Sequence, residues 1–301
     1  MKLKIENGKL KIINGLSSTI IVAISIIIVI VIFSFSCYRN NVFSEKNTPY
    51  HYNELSAIYN AMAHNADSAL LMINDFTNNV DLKKLKNSEF YEYHILLAEA
   101  KYKCNHKFVN ELEINEAVHY LDSLTKSHPK DHELLLLNSR ANYYRGTMEE
   151  EKENYKNAFT SYLDALRLLE RINSIYSNKT DILHFKAMTY VRLGDIFYWI
   201  NAYDAAIECL NNANSLFYRI DNLYSATRNH ILMAIIYEHR YNYKNSFRHL
   251  SIADSLLMEY NKNSQLKHVI ERINASLMYN IGYQDESFKI IMQQYRTLES
   301  P

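Results

Sequence analysis

An all-α fold built from stacked helix pairs is the class this sequence predicts, and three observations predict it. Only 5 Gly and 3 Pro occur in 301 residues, a scarcity that suits long helices with short connections and not the many turns of a multi-stranded fold. A small residue recurs at Ala69, Ala117, Ala158, Ala206, Ser246 and Ser287, with successive spacings of 48, 41, 48, 40 and 41 residues. Around each of these positions apolar residues fall at helical spacing, as Ala206, Leu210 and Ala213 do at i, i+4 and i+7.

Composition narrows the function classes. The 33 Lys and Arg balance the 33 Asp and Glu, so no global field attracts nucleic acid, and no nucleic-acid motif is present. Cys37, Cys104 and Cys209 are far apart and form no C-x-x-C pair, which argues against a disulfide framework. Cys209, beside Leu210 on an amphipathic stretch, reads as a small buried hydrophobe.

Taken in order, the chain opens with a basic stretch, 1–15, carrying Lys2, Lys4, Lys9 and Lys11. An apolar segment follows over 16–36, with its unbroken core from Ile20 to Phe33. The longer span reaches the roughly 20 residues that cross a bilayer, and the shorter has the length of a signal-peptide core. Lysines on its amino side place that side in the cytoplasm and the remainder outside it. Ser34-Phe35-Ser36-Cys37 looks like a bacterial lipobox, with Ser36 as the small residue before a lipidation candidate, Cys37, and Ser34 departing from the usual aliphatic residue. A plain signal anchor is the alternative, and both tether the same domain. Polar residues 37–49 form a linker, and 50–301 hold the repeats.

The first repeat carries Ala69 with Leu70 and Ile73. The second is expected to start at Ser88 as helix N-cap, runs to Ala117, Leu121 and Leu124, and stops at Pro129, which needs no interior hydrogen bond. Asp131 opens the third, with Gly146 as its small residue and Tyr155, Ala158, Tyr162 and Ala165 on the partner helix. The fourth, Thr189 to Ala213, holds Leu193, Gly194, Phe197, Ala206 and Ala213. Met233, Ala234, Tyr237, Tyr243, Ser246, Leu250 and Ala253 repeat it forty residues on. The sixth has Ala275, Gly282, Ser287 and Ile291, and 288–301 is a candidate polar cap.

In this order the residues resemble the tetratricopeptide repeat, W-x2-L-G-x2-Y followed by A-x3-F and A-x2-A. The likeness extends to membrane-anchored and lipoprotein members from Bacteroidetes-type bacteria. It implies a right-handed solenoid of about six helix pairs whose concave face, lined by the first helices, binds a protein or peptide. At first-helix positions that look into such a groove stand Arg140, Tyr143, Asp195, Tyr198, Trp199, Arg228, Glu238 and His239. Aromatic and Arg residues dominate binding hot spots, although Trp199 equally suits packing between repeats.

Catalytic signatures such as G-x-S-x-G, G-x-x-x-x-G-K-[ST] and H-E-x-x-H are absent from the sequence. No enzyme activity, cofactor or metal is expected. The expected role is a tethered extracytoplasmic scaffold for proteins or peptides, with a sensory module signalling through a membrane partner or a missing carboxyl-terminal output segment, and a nutrient-binding lipoprotein, as alternatives.

Overall fold

The structure, a computed structural model, describes residues 3–6, 9–12, 53–106, 111–260 and 265–299. The chain divides into two units, 1–49 and 50–301. In the first, strand β1 (Leu3–Glu6) pairs antiparallel with β2 (Lys9–Ile12), Leu3 opposite Ile12 and Ile5 opposite Leu10. Within the basic stretch, Leu-Lys-Ile-Glu and Lys-Leu-Lys-Ile alternate with period two around Asn7-Gly8, a pair that favours hairpins. The apolar segment 16–36, Cys37 and the linker 37–49 lie outside the described residues. Among those that are described, no helix is long and apolar enough to cross a membrane.

The second unit is helical throughout its described residues. Its first pairs are α1 (Asn53–His64) with α2 (Ala66–Asn79), α3 (Asn87–Lys103) with α4 (Glu111–Ser127), and α5 (His132–Glu151) with α6 (Tyr155–Glu170). Then come α7 (Thr180–Trp199) with α8 (Tyr203–Arg219), α9 (Leu223–His239) with α10 (Tyr243–Tyr260), and α11 (Gln265–Asn280) with α12 (Gln284–Glu299). Each helix packs on the next, and odd-numbered helices also touch one another: α1 on α3, α3 on α5, α5 on α7, α9 on α11. This is an α-solenoid in which the first helices of successive pairs share one layer.

Small residues set the closeness of each pair. Ala69, Ala117, Ala158, Ala206, Ala213, Ala234, Ser246 and Ala253 are completely buried. At Ser246 the hydroxyl that replaces the usual methyl donates to the Ala234 carbonyl at 2.7 Å, so the polar atom is satisfied across the pair. Gly146 and Gly194 are the tightest contacts: a Cβ on Gly146 would lie 2.6 Å from Tyr162 Cε1, and one on Gly194 3.0 Å from Leu210 Cδ2.

Five of the six turns inside the pairs obey one geometry, the exception being the α1–α2 turn, where Asn65 has φ −155°. Asn105, Glu153, Asn201, Tyr241 and Gly282 each adopt positive φ just past an odd helix. The next N–H reaches back five residues, from His106 to the Lys101 carbonyl, Asn154 to Glu149, Ala202 to Phe197, Asn242 to Tyr237 and Tyr283 to Met278, at 2.8–2.9 Å. That is the bond pattern of a Schellman C-cap, which glycine usually makes; here only Gly282 is glycine.

One boundary differs from the sequence reading. Helix α3 begins at Asn87, with Lys86 as its cap and the Glu89 carboxylate accepting the Lys86 N–H at 3.1 Å, so Ser88 lies one residue inside. Asp131 does cap α5, its carboxylate accepting from the Glu133 and Leu134 N–H groups, and Pro129 sits in the preceding turn. Residues 288–299 continue α12, the second helix of the sixth pair, where Phe288 is 63% and Ile291 50% exposed.

Candidate functional site

The shared layer of first helices opens into a cleft of about 710 Å³, walled by side chains of α3, α5, α7, α9 and α11. Its position follows from the packing: α1, α3, α5 and α7 run in direct contact, and the cleft opens where the row passes from α7 to α9. Tyr143 and Tyr144 of α5, both 2% exposed, lie in its wall with edge-to-face rings 5.1 Å apart.

One side of the cleft is charged. Lys103, Arg192, Asp195 and Arg228 line it. Arg192 is the hub: its guanidinium lies 3.5 Å from Asp195, 3.8 Å from Glu150, and within 3.5 Å of the Tyr143 hydroxyl, to which Nε donates. Burial holds its pKa down, partly offset by Asp195 and reinforced by the charge of Arg228. Burial pushes Asp195 upward against both arginines. It also pushes Glu150 up to about 7, although the Tyr162 hydroxyl donates to that carboxylate at 2.9 Å. Arg228 is exposed, has its guanidinium 5.9 Å from the Tyr224 ring, and pairs with no carboxylate among the described residues. The rest of the lining is largely apolar and includes Leu232 and Ile235 of α9 and Leu266 and Val269 of α11.

Beneath the charged wall lies a buried ion pair. Glu99 accepts from Arg140 Nη2 at 2.7 Å and from Lys103 Nζ at 2.9 Å. Burial alone would raise the Glu99 carboxyl, but the two cations beside it hold it below the usual carboxylate range. Arg140 also lies over the Tyr59 ring at 4.3 Å, a cation–π contact added to the ion pair.

A separate polar cluster joins α8, α9 and α10. His230 and His249 meet Nδ1 to Nδ1 at 2.8 Å, and the Tyr218 hydroxyl is 2.7 Å from His230 Nε2. Burial, then the neighbouring His249, lowers His230 to about 4. The Cys209 thiol of α8 is pushed up to about 12 by burial, far from the range of a reactive thiolate.

Of the residues singled out from sequence, Tyr143, Asp195 and Arg228 line the cleft. Arg140 lies below it, 4% exposed and engaged with Glu99. Glu238 accepts from Ser276 at 2.7 Å and Asn280 at 3.0 Å, tying α9 to α11. Tyr198 and His239 sit together at the end of their helices, hydroxyl to Nδ1 3.2 Å, and Trp199 is 68% exposed there, outside the cleft. Lys103, Arg192, Leu232 and Ile235 escaped the sequence reading. A helical stripe drawn from Asp195 and Arg228 would have reached three of them, since Arg192 stands at i−3 of Asp195 and Leu232 and Ile235 at i+4 and i+7 of Arg228. Among the described residues, no group of three or more His, Cys, Asp or Glu is placed to hold a metal ion.

No protein-family model matches the chain, and no curated protein matches it in sequence. Solved structures do match. The apo form of RapI superposes with a TM-score of 0.53 at 13% identity, covering 83% of this chain and 82% of RapI. A thermophilic TPR protein of Thermus thermophilus, TTC0263, gives 0.41 at 15% identity over 75% of this chain and 98% of its own. MamA gives 0.41 at 14% over 68% and 98%. At such identities the RapI likeness is one of fold. Together with the stacked pairs and their buried small residues, it shows an α-solenoid of helix pairs, in keeping with the tetratricopeptide-type fold that the sequence resemblance implies.

Proposed function

We propose that the helical unit is a binding module that takes an extended peptide segment of a partner protein into the cleft of its first helices. The observation that carries this reading is the cleft itself. Five helices of different pairs turn a charged wall and an apolar wall toward one space of about 710 Å³, a size and mixture typical of ligand sites.

The finer proposal adds a tether. The apolar run 16–36 with lysines on its amino side supports membrane attachment with the helical unit outside the cytoplasm, and Cys37 supports lipid attachment as the alternative to a retained anchor. Radiolabelled palmitate entering the wild type and not Cys37→Ala supports the lipid; absence from both leaves the anchor.

The binding module is tested by panning the full chain against phage-displayed random dodecapeptides. The expected result is an enriched pool whose members bind the wild type and lose about tenfold or more in affinity on Leu232→Arg, with an unchanged thermal midpoint. A wild type that enriches nothing, or a pool indifferent to Leu232→Arg, overturns the reading.

A further inference from the structure

The chain carries 33 basic and 33 acidic residues, yet the cleft is not balanced. Lys103, Arg140, Arg192 and Arg228 stand in or under its charged wall against Glu99, Asp195 and Glu150. Glu150, raised to about 7 by burial, carries only part of its charge near neutrality. Glu99 is committed to Arg140 and Lys103. Asp195 is within ion-pair distance of Arg192 and feels Arg228 from farther off, so Arg228 is an exposed cation with no carboxylate within ion-pair distance among the described residues. Arg192 and Arg228 also repel, since each charge acts against the other across Asp195. An anion entering beside Arg228 relieves that repulsion and completes a charge-assisted pair.

The apolar half fixes what must be attached to that anion. Arg228, Leu232 and Ile235 occupy one face of α9, at i, i+4 and i+7. At about 1.5 Å per residue, Leu232 lies roughly 6 Å along the axis from Arg228. Side chains two apart in an extended peptide leave the same side about 6.6 Å apart. The two repeats match, and Leu266 and Val269 of α11 add to the apolar lining.

Resting on the reading of the cleft as a peptide site, we infer that its ligand is an extended segment carrying an acidic side chain two residues from an aliphatic or aromatic one, the carboxylate meeting Arg228 and the apolar group seated on the apolar lining that α9 and α11 present to the cleft.

The test compares pools panned on the full-length wild type and on Arg228→Gln. Display through the peptide's carboxyl end leaves only side-chain carboxylates to be selected, so a preference for a free carboxyl terminus cannot imitate the result. The wild-type pool is expected to show Asp or Glu two positions from Leu, Ile, Val or Phe about twofold or more above the unselected library, and the Arg228→Gln pool to lose the acid and keep the apolar residue. A selected peptide should bind Arg228→Gln about tenfold more weakly than wild type, while its Asp→Asn counterpart binds both alike. Because Arg228 is exposed, melting curves of the variant should overlay those of wild type. Acid content unchanged between the two pools, or an equal loss for the Asn peptide, overturns the acidic class. If Leu232→Arg still abolishes binding in that case, the peptide cleft survives; if it does not, both fall.

Discussion

Glu99 and Arg140 are 41 residues apart in sequence and 2.7 Å apart in space, a buried ion pair that ties α3 of the second helix pair to α5 of the third. Glu99 is 2% and Arg140 4% exposed, so neither charge has water to fall back on. Glu99 has a second cation in Lys103, whereas Arg140 has only the rings of Tyr59 and Phe185. Glu99→Leu should therefore cost about 3–5 kcal/mol and Arg140→Met less, because breaking a buried pair strands the remaining charge. The double variant should recover much of the loss. Urea unfolding of the four proteins checks this, and a double variant as unstable as the sum of the singles contradicts it.

The two helix-contact glycines should respond differently to a methyl group. At Gly146 the new Cβ would strike the Tyr162 ring at 2.6 Å, and that ring is fully buried. Gly146→Ala should cost about 1–3 kcal/mol through overpacking. At Gly194 the obstacle is a Leu210 methyl at 3.0 Å, which needs to give only slightly, and the gain of about 1 kcal/mol in helix propensity offsets it. Thermal melts should place Gly194→Ala near wild type and Gly146→Ala well below it.

Tyr241 holds φ at 58° while 80% exposed. A bulky residue in the left-handed region costs about 1–2 kcal/mol, and little packing is lost when it is removed. Tyr241→Gly should stabilise by about 0.5–1 kcal/mol after the flexibility of glycine in the unfolded chain is counted. A destabilised variant in chemical denaturation would show that the ring contributes packing that its exposure conceals.

His230 makes acid stability depend on the cluster between α8, α9 and α10. It faces Tyr218 from α8 and His249 from α10, with Tyr237 of α9 stacked on His249 and the charge of Arg248 nearby. Its ordinary value of 6.5 falls to about 4 in the fold. The unfolded chain thus binds a proton that the folded one refuses, and stability present above 6.5 is lost as pH falls toward 4. Between pH 7 and 5 the loss from this group is about 2 kcal/mol. Glu150 acts in the opposite sense, its raised pKa adding stability as pH falls from about 7 toward its ordinary 4.5. Subtracting the pH profile of His230→Gln from that of wild type isolates the histidine; identical profiles contradict the assignment.

Much of the solenoid was legible because its determinants are periodic. Ala158, Ala206 and Ser246 mark the same contact in three successive pairs, and only a small residue fits there. The turns were less legible, since Glu153, Asn201 and Tyr241 take a conformation that sequence rules assign to glycine. In the cleft, Asp195 and Arg228 follow from their helix positions, but Arg140 sits on a comparable helix and is drawn beneath the surface by Glu99. That partner is distant in sequence, so no local pattern announces it. Trp199 shows the same limit at a helix end: one residue beyond the packed face, it points outward and is 68% exposed.

The central claim is that ligand binds in the cleft against the apolar side chains that α9 and α11 present to it, and methyl-labelled NMR of the full chain tests it most directly. Titration with a peptide from the wild-type pool should shift the methyl resonances of Leu232, Ile235, Leu266 and Val269, which line the cleft. It should leave those of Leu71, Leu112 and Met258, exposed on even-numbered helices, where they were. Shifts confined to Leu71, Leu112 or Met258, with the cleft methyls unmoved, would contradict the account.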